Sequence, residues 1–189
     1  MDALLIGAGG HAKAIVESLA AQKLSLIAYI DPRSADWLTV RHLVSEERYE
    51  GPACAAIIGF GGVTPQQLKR RFDVTAAWAD RGFSLPSVVH PAAVVSASAR
   101  IGDAAQILAG AIVQPGAVVG RGVIVNSGAI VEHDALIEKG AHIAPGAVIL
   151  GGAKVGSYCM VGARAVVLPG NVLPDNSLLP ANSLSRGAR

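Results

Sequence analysis

An aliphatic residue stands at every sixth position through the second half of the chain. The series has no gap and runs through Val89, Val95, Ile101, Ile107, Val113, Val119, Val125, Val131, Ile137, Ile143, Ile149, Val155, Val161, Val167, Leu173 and Leu179. The residue four positions after each of these is usually small, most often alanine. A period of six fits neither a helix, with about 3.6 residues per turn, nor a strand that alternates every two residues. It is typical of a solenoid of short parallel strands, the hexapeptide β-helix.

Each hexad is expected to form one side of a triangular coil. In the hexad that begins at Ile143, this side chain points inward, and Pro145 and Gly146 make the turn. Three hexads complete a coil, so residues eighteen apart should stack at the spacing of neighbouring strands, about 4.8 Å. The preceding domain can cover the N-terminal end of the stack. Because only a short tail follows the last coil, we expect Leu173 and Leu179 to be poorly shielded.

The first half of the chain alternates strands and helices. Buried strands are predicted at residues 2–6, 24–30 and 53–59, and helices at 14–22 and 64–72. This alternation favours a parallel sheet with helices on its faces. The predicted fold is therefore a small Rossmann-like α/β domain over residues 1–82, followed by an all-β parallel β-helix over residues 83–189.

A glycine-rich turn follows the first strand and matches the pattern G-x-G-x-x-A, with an acid about twenty residues further on. Such a turn places phosphate at a helix N-terminus and the acid beside the ribose. The domain has about half the length that a dinucleotide site needs, so we predict a mononucleotide-type pocket. The candidate nucleotide contacts are Gly7, Gly9, Gly10, His11, Asp31 and Gly59. A tight strand-to-helix turn without a ligand is the alternative interpretation.

Composition and charge narrow the function classes. The net charge of +2 gives no reason to predict nucleic-acid binding, and the triplet Lys69-Arg70-Arg71 is interpreted as a solvated helix face. No apolar run reaches the ~20 residues of a membrane span, and the N-terminus has no signal-peptide pattern, so we expect a cytoplasmic protein. Cys54 and Cys159 lack metal-ligand spacing and are interpreted as small buried hydrophobes; no metal site is predicted.

His133 carries the clearest chemical signal among the five histidines. It lies between two acids, Glu132 and Asp134, and an imidazole beside a carboxylate is oriented and becomes a better base near neutral pH. The residue one coil above is Gly151, which leaves a backbone N–H accessible and room for a ligand. The alternative is a surface histidine at a solenoid corner, where Gly, Asn, Asp or Lys is more usual.

The other histidines give weaker signals. His142 follows His133 by nine residues in a glycine- and alanine-rich run, and it is the second candidate. His42 lies in a polar stretch and is interpreted as exposed. His90 precedes a proline at the first coil and is interpreted as structural.

These motifs together resemble a known family. The segments that carry the resemblance are G-A-G-G-H-A-K at residues 7–13, Asp31, Asn126, E-H-D at residues 132–134, H-I-A-P-G-A at residues 142–147, and Gly151-Gly152. They are similar to the two-domain sugar acyltransferases with a left-handed β-helix. This family includes the UDP-4-amino-sugar N-acetyltransferases of bacillosamine synthesis, the GDP-perosamine N-acetyltransferases and the proteins called sialic acid O-acetyltransferases. The resemblance covers essentially the whole chain and implies a homotrimer with active sites between adjacent β-helices.

The resemblance implies a role for each candidate on the β-helix. His133 would be the general base that takes the proton of a sugar 4-amine as the amine attacks acetyl-CoA, and Asp134 would orient it. Asn126 and His142 would bind the acetyl end of the co-substrate, and the Gly151 amide would hold the thioester oxygen. The remaining acetyl-CoA contacts would be Ala163, along the pantetheine, and Lys154 and Arg164, which we assign to the phosphates of CoA by charge and position.

On the nucleotide side, the resemblance implies that Gly9, Gly10 and His11 contact phosphates and that Asp31 contacts the base or ribose. The chain departs from the family pattern after the third strand. There it has G-F-G-G at residues 59–62 in place of the usual Gly-Asp/Asn-Asn. This change affects the predicted pocket for the nucleobase.

The predicted function is direct transfer of acetyl from acetyl-CoA to the 4-amino group of a nucleotide-linked amino-dideoxy sugar, with a UDP sugar favoured. An O-acetyltransferase that uses the same His133 on a sugar hydroxyl is the first alternative. A non-catalytic β-helix scaffold is the second, and the intact E-H-D triplet argues against it. An NAD-dependent enzyme is disfavoured because no second half-domain exists.

Overall fold

The computed structural model describes residues 1–185 and has the two predicted domains. The N-terminal domain has the strands β1 (Asp2–Ile6), β2 (Ser25–Ile30), β3 (Arg41–Leu43) and β4 (Ala55–Ile58), with the helices α1 (Gly10–Leu19) and α2 (Pro65–Asp80). Short 3₁₀ turns lie at Ala20–Gln22 and Glu46–Arg48. The strands form one parallel sheet in the order β3-β2-β1-β4.

The alternation of side chains along β1 separates the two helices. Leu5 packs with Ile15 of α1 on one face of the sheet, whereas Leu4 packs with Trp78 of α2 on the other. Phe83 and Leu85 are buried with Trp78, and Ser84 bridges to Ala55 at the edge of β4. Residues 83–85 therefore pack against the N-terminal sheet.

The second domain is a parallel β-helix of two-residue strands. They are β5 (Val88–Val89), β6 (Val94–Val95), β7 (Arg100–Ile101), β8 (Gln106–Ile107), β9 (Ile112–Val113), β10 (Val118–Val119), β11 (Ile124–Val125), β12 (Ile130–Val131), β13 (Leu136–Ile137), β14 (His142–Ile143), β15 (Val148–Ile149), β16 (Lys154–Val155), β17 (Met160–Val161), β18 (Val166–Val167), β19 (Val172–Leu173) and β20 (Leu178–Leu179). Every third strand pairs, which gives three sheets. Sheet I contains β5, β8, β11, β14, β17 and β20; sheet II contains β6, β9, β12, β15 and β18; sheet III contains β7, β10, β13, β16 and β19.

The periodic aliphatic residues and their alanine partners fill the interior of this prism, as predicted. Strand partners are eighteen residues apart, as in the pairing of Val125 with Ile143. Cys159 is buried in the same core, whereas Cys54 is half-buried in the N-terminal domain.

The two ends of the prism differ from our expectation. Leu173 and Leu179 are only 9% exposed. The chain continues the coil beyond them, and the Ser185 backbone N–H donates to the carbonyl of Val166 at 2.8 Å. The rest of the tail, residues 186–189, lies outside the described part of the chain. The less shielded end is the N-terminal one, where the inward residues are only partly buried: Val89, Val95 and Ile101.

The N-terminal domain covers the outer surface of sheet I. Five of the six outward residues of this sheet are buried: Val88, Gln106, Ile124, His142 and Met160. Met160 packs with Leu68 of α2. Within residues 1–185 no helix is long and apolar enough to cross a membrane.

A buried arginine joins the two domains. Arg71 is 1% exposed, and its Nε and Nη1 donate to the carbonyls of Phe60 at 2.8 Å and Gly122 at 2.6 Å. Burial lowers the pKa of Arg71 to about 10, so it stays a cation at neutral pH. The prediction of a solvated triplet is therefore wrong for Arg71, although Lys69 and Arg70 are exposed.

Candidate active site

The predicted base lies on an exposed edge of the prism, in the turn between sheets II and III. His133 Nδ1 is 3.0 Å from Asp134 Oδ2, and Asp134 adopts a left-handed conformation with φ 59°, which turns its carboxylate back onto the ring. This hydrogen bond raises the pKa of His133, and the nearby carboxylates of Asp134 and Glu132 add to the effect. With Nδ1–H donated to the carboxylate, Nε2 keeps a free lone pair. The pair has the geometry of an oriented general base.

Gly151 lies against this imidazole from the next coil. A Cβ at Gly151 would be 2.6 Å from His133 Nε2, so only glycine fits beside the ring in this orientation. The neighbouring Gly152 N–H donates to the carbonyl of His133 at 3.0 Å. The Gly151 N–H has no acceptor within residues 1–185. The free N–H of Gly151 and the free Nε2 of His133 therefore lie together on the edge between sheets II and III.

Asn126 and His142 contact each other, but they lie away from His133. Asn126 lies at the opposite border of sheet II, where the prism turns from sheet I to sheet II, and His142 lies beside it on the outer surface of sheet I. Asn126 Nδ2 is 3.0 Å from His142 Nε2, and His142 Nδ1 is 2.8 Å from the carbonyl of Gly62. His142 is 6% exposed, and burial lowers its pKa to about 4.

The other three predicted acetyl-CoA contacts lie on two different parts of the prism. Ala163 and Arg164 lie on the same edge as Asn126, where Ala163 is partly buried and Arg164 is exposed. Lys154 lies on sheet III and pairs with Glu138 at 2.8 Å, which raises the pKa of Lys154. A cation already paired in this way is a poorer partner for a phosphate than our assignment by charge assumed.

The glycine-rich turn borders an open cavity of about 530 Å³ on the N-terminal domain. The residues that line it are Ala8, Gly9, Gly10, Lys13, Asp31, Arg33, Ser34, Ala35, Asp36 and Trp37. Gly9 and Gly10 stand at the start of α1, and a Cβ at either would meet no atom within 4 Å. Their backbones are open to a ligand. Of the predicted nucleotide contacts, Gly9, Gly10 and Asp31 line this cavity.

Gly7 and Gly59 serve the packing behind the cavity. Gly7 has φ +87°, and a Cβ there would be 2.9 Å from the ring of Phe60. A Cβ on Gly59 would overlap the carbonyl oxygen of Gly7. Both positions therefore need glycine for close approach of the backbone, and neither lines the cavity.

Asp31 organises the turn. Its Oδ2 accepts from the Ala8 N–H and its Oδ1 from the Arg33 N–H, each at 2.9 Å. His42 supports the same segment from behind: its ring stacks on Tyr29 with centroids 4.7 Å apart, and its Nε2 lies 2.8 Å from the carbonyl of Asp31. The interpretation of His42 as merely exposed was wrong.

The side chain of His11 does not line the cavity. Its Nε2 is 2.9 Å from Gln106 Oε1 on sheet I, and Gln106 Nε2 donates in turn to the carbonyl of Ile58 at 2.7 Å. Burial lowers the pKa of His11, so the ring is neutral at pH 7. The side chain therefore belongs to the domain contact, and the predicted phosphate contact through it is not supported.

Three cavity residues with cationic or aromatic side chains were not predicted from the sequence. Lys13 and Arg33 bring positive charge to the rim, and Trp37 adds an aromatic face. The indole N–H of Trp37 donates to the carbonyl of Ala8 at 3.3 Å, and Lys13 Nζ lies 5.8 Å from its ring centroid. Lys13 stands within the quoted glycine motif and could have been found there; the other two follow an irregular segment with no spacing signal.

Comparison with known proteins shows the family of the chain. The bacterial transferase hexapeptide model matches residues 98–133 and 134–169, and the PglD N-terminal domain matches residues 2–50. The acetyltransferase domain of PglB from Neisseria gonorrhoeae, in complex with acetyl coenzyme A, is 30% identical with a TM-score of 0.85, over 98% of this chain and 91% of that one. The chain belongs to the two-domain hexapeptide-repeat acetyltransferases.

Another solved member of this hexapeptide-repeat acetyltransferase group is PerB from Caulobacter crescentus, in complex with CoA and GDP-perosamine. It is 28% identical, with a TM-score of 0.88, over 99% of this chain and 89% of that one. WeeI from Acinetobacter baumannii, at 20% identity and a TM-score of 0.66, shares the fold. No curated protein sequence matches the chain.

Proposed function

We propose that the protein transfers an acetyl group from acetyl-CoA to the amino group of a nucleotide-linked amino-dideoxy sugar. The observation that carries the proposal is the oriented pair His133–Asp134, with its free Nε2 beside the unbonded Gly151 N–H. The solved relatives with acetyl-CoA, or with CoA and a GDP-linked amino sugar, support it. The preference for a UDP sugar and a cytoplasmic location stay predictions.

The reaction needs a base but no covalent enzyme intermediate. The amine nitrogen attacks the thioester carbonyl carbon, and His133 Nε2 takes the proton that the nitrogen loses as the C–N bond forms. Asp134 stabilises the resulting imidazolium. The Gly151 N–H can donate to the carbonyl oxygen as negative charge develops on it. The C–S bond then breaks, and the departing thiolate takes the proton from His133.

The cavity on the N-terminal domain is proposed to hold the nucleotide diphosphate. Its volume of about 530 Å³ falls within the range of small-molecule sites, roughly 300–1,000 Å³. The amides of Gly9 and Gly10 at the start of α1, with Lys13 beside them, suit an anion. Arg33 adds a second cation at the rim, and the flat indole ring of Trp37 can stack on the nucleobase.

A homotrimer is proposed from the arrangement of the site around sheet II. The base His133 and the amide of Asn126 lie at opposite borders of this sheet, and one side of a coil spans six residues at about 3.3 Å each, which is too far for one acyl group. The outward column of sheet II between them is entirely aliphatic: Val94, Ile112, Ile130, Val148, Val166 and Leu184. Burial of this column against a second copy would bring the His133 edge of one chain to the Asn126 edge of the next.

The test is thiol release from acetyl-CoA with UDP-, GDP- and dTDP-linked 4-amino-4,6-dideoxy sugars. Turnover with one of them is expected, and His133→Gln should lower kcat/KM by at least about 10² while acetyl-CoA still binds. No turnover with any of these sugars, with acetyl-CoA still bound, would point to a hydroxyl acceptor. No binding of acetyl-CoA would favour a scaffold.

A further inference from the structure

A chain of hydrogen bonds runs from the N-terminal domain to the edge that carries Asn126. The Asn126 Oδ1 accepts from the Ser127 N–H at 2.8 Å, which turns its Nδ2 towards His142 Nε2, 3.0 Å away. His142 Nδ1 lies 2.8 Å from the carbonyl of Gly62. An amide nitrogen can only donate and a carbonyl oxygen can only accept. His142 Nε2 is therefore unprotonated, and the proton is on Nδ1.

This tautomer leaves the ring of His142 with no donor for a ligand. Its single N–H is used by Gly62, and a second proton on Nε2 would face the amide N–H of Asn126. Burial, with smaller contributions from the neighbouring His11 and Arg71, lowers the pKa of His142 to about 4. At neutral pH the ring therefore cannot supply a hydrogen bond to a thioester oxygen without breaking its contact with the other domain.

The unused donor is on Asn126. One N–H of its amide goes to His142, and the other has no acceptor within residues 1–185. Asn126 is half-buried at an edge that also carries Arg164, whereas His142 lies under the N-terminal domain. The accessible member of the pair is the asparagine.

We propose that His142 is a positioning residue that does not contact the acyl group. It holds the amide of Asn126 so that the second N–H is available to the thioester oxygen of acetyl-CoA. The Gly62 carbonyl sets the tautomer that makes this possible, and Arg71, bonded to the carbonyl of Phe60, holds the same segment. The inference rests on the proposed function, because it assumes that acetyl-CoA binds along this edge and that the proposed trimer brings the Asn126 edge of one chain to the His133 and Gly151 edge of the next.

The first experiment reads the tautomer directly. In the full-length protein labelled with ¹⁵N-histidine, long-range ¹H–¹⁵N spectra show which ring nitrogen carries the proton, and His142→Gln identifies the signals of His142. We expect the proton on Nδ1 both without and with acetyl-CoA. Transfer of the proton to Nε2 when acetyl-CoA is added would make His142 a direct donor and overturn the inference.

The second experiment is a double-mutant cycle on the dissociation constant of acetyl-CoA, measured by calorimetry. Asn126→Ala should weaken binding about tenfold, the effect of one hydrogen bond. His142→Leu should weaken it by a similar factor, and the double variant should bind no more weakly than Asn126→Ala alone. Losses that multiply to about a hundredfold, or a His142→Leu variant that binds like the wild type, would overturn the inference.

His142→Gln is the matched control. Its side-chain carbonyl can accept from Asn126 where Nε2 does, so acetyl-CoA binding should stay within about threefold of wild type while the Gly62 contact is lost. An equal loss in the Gln and Leu variants would show that the domain contact, and not the acceptor, is what matters. If wild-type protein does not bind acetyl-CoA, the proposed function fails, whereas the tautomer is still measured independently.

Discussion

One added methyl group at Gly151 should displace the proposed base and leave the protein folded. The Cβ of an alanine there would be 2.6 Å from His133 Nε2 and 2.7 Å from Cε1, whereas ordinary contact begins at 3.4 Å. The imidazole would have to move by about 3.4 − 2.6 = 0.8 Å. The φ of Gly151 is not in the left-handed region, so the alanine adds no backbone strain.

The expected loss follows from this displacement. A misplacement near 1 Å can cost about 10² in rate, and the hydrogen bond of 3.0 Å between His133 and Asp134 would also be disturbed. We therefore expect kcat/KM of Gly151→Ala to fall by about 10². The His133 side chain is 65% exposed and can rotate into solvent, so the free energy of unfolding should change by less than about 0.5 kcal/mol.

Gly152→Ala, at the following residue, is the matched control. Gly152 has φ +65° and open space around its Cβ position, so an alanine there strains the backbone by roughly 1–2 kcal/mol without touching His133. It should lower the melting temperature and leave kcat/KM of the folded protein unchanged. The assays are thiol release with the identified sugar and thermal unfolding. Full activity in Gly151→Ala, or an equal loss of activity in both variants, would refute the assignment of Nε2 as the proton acceptor.

Three further predictions use the titrating and aromatic groups. Because the carboxylate of Asp134 raises the pKa of His133, Asp134→Asn should shift the acid limb of the pH profile of kcat/KM to lower pH; an unmoved limb would contradict the pairing. The pKa of His142 is about 4 in the folded protein against an ordinary 6.5, so the unfolded state takes up protons first. The free energy of unfolding should therefore fall between about pH 6.5 and 4, by up to (6.5 − 4) × 1.36, or roughly 3 kcal/mol, and His142→Gln should flatten this fall in urea titrations. Binding of a nucleoside diphosphate should change the fluorescence of Trp37 but not that of Trp78, which is fully buried; a signal that persists in Trp37→Phe would place the ligand elsewhere.

The β-helix and the contact between His133 and Asp134 could be predicted because their determinants are local. Every hexad needs one inward aliphatic side chain, so the six-residue period would be recognised even if one hexad deviated from it. The pair His133–Asp134 is formed by adjacent residues in a corner, and no distant contact is needed to bring carboxylate and imidazole together. The register of eighteen also placed Gly151 above His133 correctly.

Two of the failures share a different cause, since each depends on a partner far away in sequence. Arg71 reads as part of a solvated basic triplet, but it is buried because Gly122 supplies a carbonyl 51 residues later. His11 stands in a glycine motif and reads as a phosphate ligand, but its ring is taken by Gln106, 95 residues away. A local motif predicts the turn and the type of residue in it. It does not predict which acceptor, distant in sequence, forms a hydrogen bond with a polar side chain.

The outward columns of the prism carry part of that long-range information. The outward residues of one sheet recur every eighteen positions in the sequence. In sheet I they include Gln106 and His142 among apolar residues, whereas in sheet II all of them are aliphatic. A buried polar group must find a partner of defined geometry, so Gln106 and His142 require one fixed orientation of whatever covers them. The N-terminal domain satisfies both, through the carbonyls of Ile58 and Gly62. Aliphatic side chains need no hydrogen-bond partner, so a surface that covers sheet II has to match it only in shape. A second copy of the chain, placed by symmetry, can provide such a surface.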